Sequence, residues 1–203
     1  MNFLIKNKQN YFITSLFIFF YIFSIIKVFD HAISRDSWQY GEWLINYQSG
    51  FVRRGIIGEF IFNFSKIFKN NLQISYILVL STIISFLYYF AFKLIQNIKF
   101  NFVIYLILFS PLFYFFIIVI SKVGIRKEII LFTFYLYYLT FLSSKSFNIH
   151  KNWIIISIFP LLLFNHEGAF FYLPYIFLPL FFLVKKEDFK IVFLQFCFLF
   201  FIS

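Results

Sequence analysis

Three polar breaks in an otherwise apolar chain carry the side chains able to do chemistry. The first runs from Asp30 to Glu59, DHAISRDSWQYGEWLINYQSGFVRRGIIGE, and holds four of the eight acidic residues. Asp30 stands where the first apolar run ends, with Asp36 and Glu42 following at intervals of six. A carboxylate at a half-desolvated membrane edge has its pKa raised and can act as a general base, or it can hold a divalent cation with a partner acid. The plainer reading is that Asp30 closes the span and Asp36 caps the next helix. Further along the same break, Arg53 and Arg54 lie between Phe51-Val52 and Gly55. Paired guanidinium groups clamp phosphate in bidentate fashion, and a chain that elsewhere prefers Lys uses Arg here. A simple anchor to lipid headgroups is the competing role.

The second break is Gly124-Ile125-Arg126-Lys127-Glu128, at the start of an apolar run. Positive charges oppose the helix macrodipole at that position, so Arg126 and Lys127 are not there to stabilise the helix. Binding of phosphate or carboxylate explains them, with Glu128 as an ion-pair partner; for Lys127 alone, snorkelling to the interface is the simpler account. The third break is Asn165-His166-Glu167-Gly168, within the apolar stretch from Trp153 to Val184. Ionisable groups at such depth are rare and mark function, His166 as base or ligand and Glu167 as its partner. A tight turn between two spans is the alternative. His31 and His150 read as interfacial. Walker, GxGxxG, HExxH, GxSxG and CxxC patterns are all missing, so nucleotide-driven transport, metalloprotease and serine-hydrolase chemistry have no support in the sequence.

The elements that position these groups follow from composition. The 203 residues are 62% hydrophobic and 13% charged, which is the range of polytopic membrane proteins. The net charge of +10 would suggest nucleic acid in a soluble protein, but the Lys residues lie at the ends of apolar runs and suit anionic headgroups, so no nucleic-acid partner is expected. Cys197 is the single cysteine, which excludes an intrachain disulfide. The fold class predicted is all-α, a membrane helix bundle of about seven spans over 9–29, 72–92, 98–121, 128–143, 152–166, 168–184 and 190–203. The first run is an uncleaved signal anchor. The last ends at Ser203 and is short for a span, so the chain reads as the N-terminal portion of a larger protein.

With a cytoplasmic N-terminus, Lys6, Lys8, Lys93, Lys99 and the later Lys clusters fall inside, and residues 30–71 form a large non-cytoplasmic loop within a single transmembrane domain spanning 1–203. That orientation puts six of the eight acids, every Arg, His31 and His166 outside. Within the loop, one helix is predicted from Ser37 to about Gln48, stopped at Ser49-Gly50, and a second from Gly55 to Phe68. Both have the pattern of helices lying on the membrane surface.

A first span, a large outer loop opening on an acid and holding two surface helices, then spans with short links: this order resembles the N-terminal part of the GT-C superfamily of integral-membrane glycosyltransferases. The resemblance implies sugar transfer from a polyprenyl-phosphate carrier at the periplasmic face of a bacterial inner membrane. Asp30 or Asp36 would be the loop acid, and Arg53, Arg54, Arg126 and Lys127 would hold carrier phosphate. The loop lacks the tight DxD or DE pair of that superfamily. YQSGFVRRGIIGEF, GIRKE and NHEG also resemble segments of bacterial surface-polysaccharide membrane proteins, including polymerases of the O-antigen and exopolysaccharide type. The partners implied are membrane lipid and a polyprenyl-phosphate-linked sugar, with a divalent cation as the cofactor the acids can hold. A polymerase of diphosphate-linked repeats and a non-enzymatic transporter or flippase are the rival readings.

Overall fold

A computed structural model describes residues 2–34, 37–50, 54–96, 125–144, 147–163, 170–171, 173–183 and 188–202. Eight α-helices and no strand occur among them: α1 Asn2–Ser34, α2 Ser37–Leu44, α3 Ile56–Ile67, α4 Leu72–Gln96, α5 Glu128–Leu142, α6 Ile149–Leu163, α7 Leu173–Leu183 and α8 Phe189–Ile202. The all-α class is therefore the architecture of the described chain. Residues 97–124, including the expected span at 98–121, lie outside the described residues, as does the break at 165–168.

Two helices, α1 over Tyr11–Ser34 and α4, are long and apolar enough to cross a membrane. The 25 residues of α4 rise about 38 Å at 1.5 Å per residue, more than the ~30 Å hydrocarbon core. Helices α5 to α8 have 11 to 15 residues, and about 16 to 23 Å falls short of that thickness. Pro160 and Pro179 sit inside α6 and α7, where each removes one backbone donor. Asp30 does not end its helix. α1 continues one turn further to Ser34, because backbone hydrogen bonding, unlike membrane depth, places no demand on apolarity.

α4 is the central post. Its buried Tyr76, Leu80, Ile84 and Leu87 meet Phe17, Phe20 and Val28 of α1 and Ile129 of α5 in one apolar core. Few small residues line this seam, so hydroxyls supply the close ties: Ser24 Oγ lies 2.8 Å from Tyr88 Oη, and Tyr21 Oη lies 3.0 Å from Ser85 Oγ. A second core joins α5 through Tyr138 and Leu142 to α6, α7 and α8. Inside it Asn152 Nδ2 donates to Gln195 Oε1 at 2.9 Å, and Gln195 Nε2 donates to the Ile149 carbonyl at 3.2 Å. This amide pair fixes the register of α6 against α8, because each buried amide would otherwise be left unsatisfied among apolar side chains.

Candidate functional site

The connection between α2 and α3 sets the first half of the site. α2 stops at Leu44 rather than near Gln48 because the Glu59 carboxylate, one turn into α3, captures the amide that would continue the helix: Tyr47 N donates to Glu59 Oε2 at 3.0 Å. Gln48 and Asn63 amides donate to the same carboxylate, at 3.1 and 3.0 Å. These bonds, foremost that from the Tyr47 amide, hold the Glu59 carboxyl below its usual pKa. Gly50 then takes φ 121, a conformation only glycine adopts freely, and turns the chain back. Gly58 lets α3 lie directly on this connection, since a Cβ there would sit 1.8 Å from the Ile45 carbonyl oxygen.

Glu42, on the inner side of α2, is 6% exposed. Neither of its carboxylate oxygens accepts a hydrogen bond from any described residue, although Arg54 Nη1 stands 3.9 Å from Oε1. Arg54 itself has φ 74, a left-handed backbone uncommon for a residue with a side chain. That conformation presents its carbonyl to the Lys127 Nζ, which donates to it. Lys127, just before α5, is fully enclosed at 0% exposure. Burial pushes its ammonium down to about 8; the Glu42 carboxylate works against that fall and the Arg54 guanidinium adds to it. A second tie runs beside the first, from Trp43 Nε1 to the Ile125 carbonyl at 3.1 Å. Trp43 is wholly buried, edge-on to Tyr76 of α4.

Three of the residues singled out from sequence, Glu42, Arg54 and Lys127, are thus brought together from segments more than seventy positions apart. Asp30 is exposed on α1 and has no hydrogen bond or ion pair to the cluster. Arg126 pairs with Glu128, Nε to Oε1 at 3.7 Å, and both side chains are partly exposed. Asp36, Arg53, His166 and Glu167 lie outside the described residues. Lys127 does not snorkel: an acceptor inside the protein, the Arg54 carbonyl, holds its head group. His31 lies near the end of α1, in protein rather than on its surface. It is 6% exposed, because this end of α1 is packed against α4, whose Gln73 Nε2 donates to the Ala32 carbonyl at 2.7 Å. His150 falls in the first turn of α6.

Comparison with family models, curated proteins and solved structures finds no match. The geometry therefore stands on its own terms. It offers a dry carboxylate, a half-exposed guanidinium at 36% and a buried ammonium in one cluster. Such a set can take a proton from a hydroxyl and hold an anion beside it. Among the described residues no three His, Cys, Asp or Glu side chains are grouped to bind a metal ion.

Sequence reasoning missed Trp43 and Glu59 as organisers of the site. The signal for Glu59 was present, an acid in the first turn of a predicted helix. For Trp43 there was only its place next to Glu42, which says nothing of a partner at position 125.

Proposed function

We propose that this chain is an integral-membrane glycosyltransferase of GT-C-like architecture, transferring a sugar from a polyprenyl-phosphate-linked donor at the periplasmic face during cell-surface glycan assembly. The observation that carries the reading is the convergence of Glu42 and Arg54, from the first polar break, with Lys127, from the second. In this scheme Glu42 takes the proton of the acceptor hydroxyl as the hydroxyl oxygen attacks the anomeric carbon. The bond from that carbon to the carrier phosphate breaks, and Arg54, the more exposed cation, neutralises the departing phosphate. Lys127 is a positioning residue, holding the Arg54 backbone.

In this reading the chain lies multi-pass in a bacterial inner membrane, with its N-terminus in the cytoplasm and residues 30–71 outside. What supports a surface position for α3 is its row of Phe60, Phe64 and Phe68, successive ring centroids 6.1 and 4.5 Å apart, with Phe60 and Phe68 exposed. Lys66, also exposed, lies over the Phe62 ring at 4.2 Å. An apolar ridge flanked by lysines suits the headgroup boundary. Reporter fusions after Phe51 and after Lys99 test this; a cytoplasmic signal at Phe51 overturns it.

The chemical test uses Glu42→Gln and Arg54→Gly in membranes supplied with a labelled polyprenyl-phosphate sugar. Glycine adopts the φ of Arg54 without cost and keeps the carbonyl that Lys127 needs, so only the guanidinium is lost. Both variants should insert normally, Glu42→Gln losing transfer by ~10²–10⁴-fold and Arg54→Gly by ~10²–10³-fold. Wild-type transfer in both removes the assignment. A polysaccharide polymerase acting on diphosphate-linked repeats is favoured by one observation: Arg54 and Arg126, on two segments tied to each other, both keep their guanidinium groups partly exposed. Turnover of diphosphate-linked but not monophosphate-linked sugar would select it.

A further inference from the structure

The seam between α1 and α4 opens into a groove of about 460 Å³, between positions 14–21 of α1 and 85–92 of α4. That volume lies in the range of small-ligand sites. α1 and α4 run antiparallel here, since Tyr21 meets Ser85 while Phe17 meets Phe92, so the groove sits at the end of the pair away from Glu42 and Arg54. Ile18 and Tyr89 form its outer rims, both about half exposed. Its lining is almost wholly apolar, and the hydroxyls on its floor are engaged with each other or the backbone: Tyr21 with Ser85, Ser85 also with the Ser81 carbonyl, and Tyr88 with Ser24. The surface left open offers a sugar few polar groups, chiefly the Thr14 and Tyr89 hydroxyls, whereas a hydrocarbon chain loses little by entering.

One residue beyond the groove stands a cation. Lys93 is exposed in the last turn of α4, with Nζ 5.9 Å from the ring centroid of Tyr89, the rim residue. A lysine at a helix C-terminus also serves the macrodipole, but that role does not require it to lean over the rim of an apolar slot. An apolar slot roughly 10 Å long with a positive charge at its end matches an amphiphile with one chain and an anionic head. We propose that the α1–α4 groove binds one anionic phospholipid, an acyl chain lying along the two helices and the phosphate paired with Lys93. The inference rests on α1 and α4 spanning the membrane, and under the orientation above the site belongs to the cytoplasmic leaflet.

The test is native mass spectrometry of the full chain, extracted from membranes and supplied with phosphatidylglycerol or phosphatidylcholine of identical chains. One retained lipid per chain is expected, with phosphatidylglycerol preferred roughly fivefold, the factor that ~1 kcal/mol per surface Lys corresponds to. Lys93→Gln should reduce phosphatidylglycerol to the phosphatidylcholine level, and Ile18→Trp, a filling change at an exposed rim position, should reduce retention of both. Equal retention of the two lipids, or retention indifferent to Ile18→Trp, overturns the proposal. So does displacement of phosphatidylglycerol by inorganic phosphate at equal concentration, which would mark a free-anion site. Resistance to alkaline carbonate extraction is scored alongside: a resistant chain without the lipid preference refutes this site alone, and an extractable chain refutes the spanning reading with it.

Discussion

Lys127→Met should remove a distinctive alkaline dependence of stability. In the folded chain burial holds the Lys127 ammonium at about 8, against 10.5 when solvated. Between those values the unfolded chain carries a proton that the folded chain has given up, so unfolding takes up a proton and stability rises with pH. The slope reaches ~1.4 kcal/mol per pH unit, and integration from pH 7 to pH 10 gives a gain of about 2 to 3 kcal/mol. Other groups titrate in the same range, and subtracting the Lys127→Met curve from the wild-type curve at each pH isolates this one. The assay is unfolding in detergent followed by Trp fluorescence, for which the wholly buried Trp43 is a reporter. A wild-type minus variant difference that stays flat, or that falls as pH rises from 7 to 10, refutes the placement of Lys127 in a dry cluster with Glu42 and Arg54.

The other predictions concern the frame around that cluster. Gly58→Ala should destabilise by about 1 to 3 kcal/mol, because the new methyl meets the Ile45 carbonyl oxygen, which is backbone and cannot turn aside; denaturant titration measures it. Trp43→Phe leaves the Ile125 carbonyl without its 3.1 Å donor and should cost about 1 to 3 kcal/mol, read in the same titration. The Glu59 carboxyl has a lowered pKa, so its stabilising effect is complete above the ordinary value of 4.5 and is lost as pH falls through the lower folded value. Protection of the Tyr47 amide from hydrogen exchange, taken relative to its intrinsic rate at each pH, should fall at that acidic end in the wild type and be low at all pH values in Glu59→Ala.

Helix positions were legible where an apolar pattern alone decides them. The second loop helix, predicted over 55–68, is Ile56–Ile67, because Ile56, Phe60 and Phe64 recur at helical spacing whatever surrounds them. The first loop helix was not, since its end depends on a carboxylate twelve positions away that takes the Tyr47 amide. The same division holds for the site. Residue types drew attention to Arg54 and Lys127, but their link is a backbone carbonyl turned by a positive φ, and no side-chain pattern encodes that. Snorkelling is the right default for a lysine at the edge of an apolar run; it gives way here because the protein supplies an acceptor closer than water.

The two ties between the first polar break and the start of α5 also set an order of events during synthesis. Arg54 and Lys127 are separated by 73 positions, and Trp43 and Ile125 by 82. At ~5–20 residues per second the ribosome needs roughly 4 to 16 s to reach the partner segment. Throughout that interval Glu42 has no Lys127 to face, and the shelter that Trp43 gives by closing on Ile125 does not exist. The loop must therefore wait, hydrated and accessible, until a later helix arrives to close it. A protease on the side of the membrane that holds this segment would cut it in a nascent chain stalled before position 125 and fail to cut it once α5 is in place.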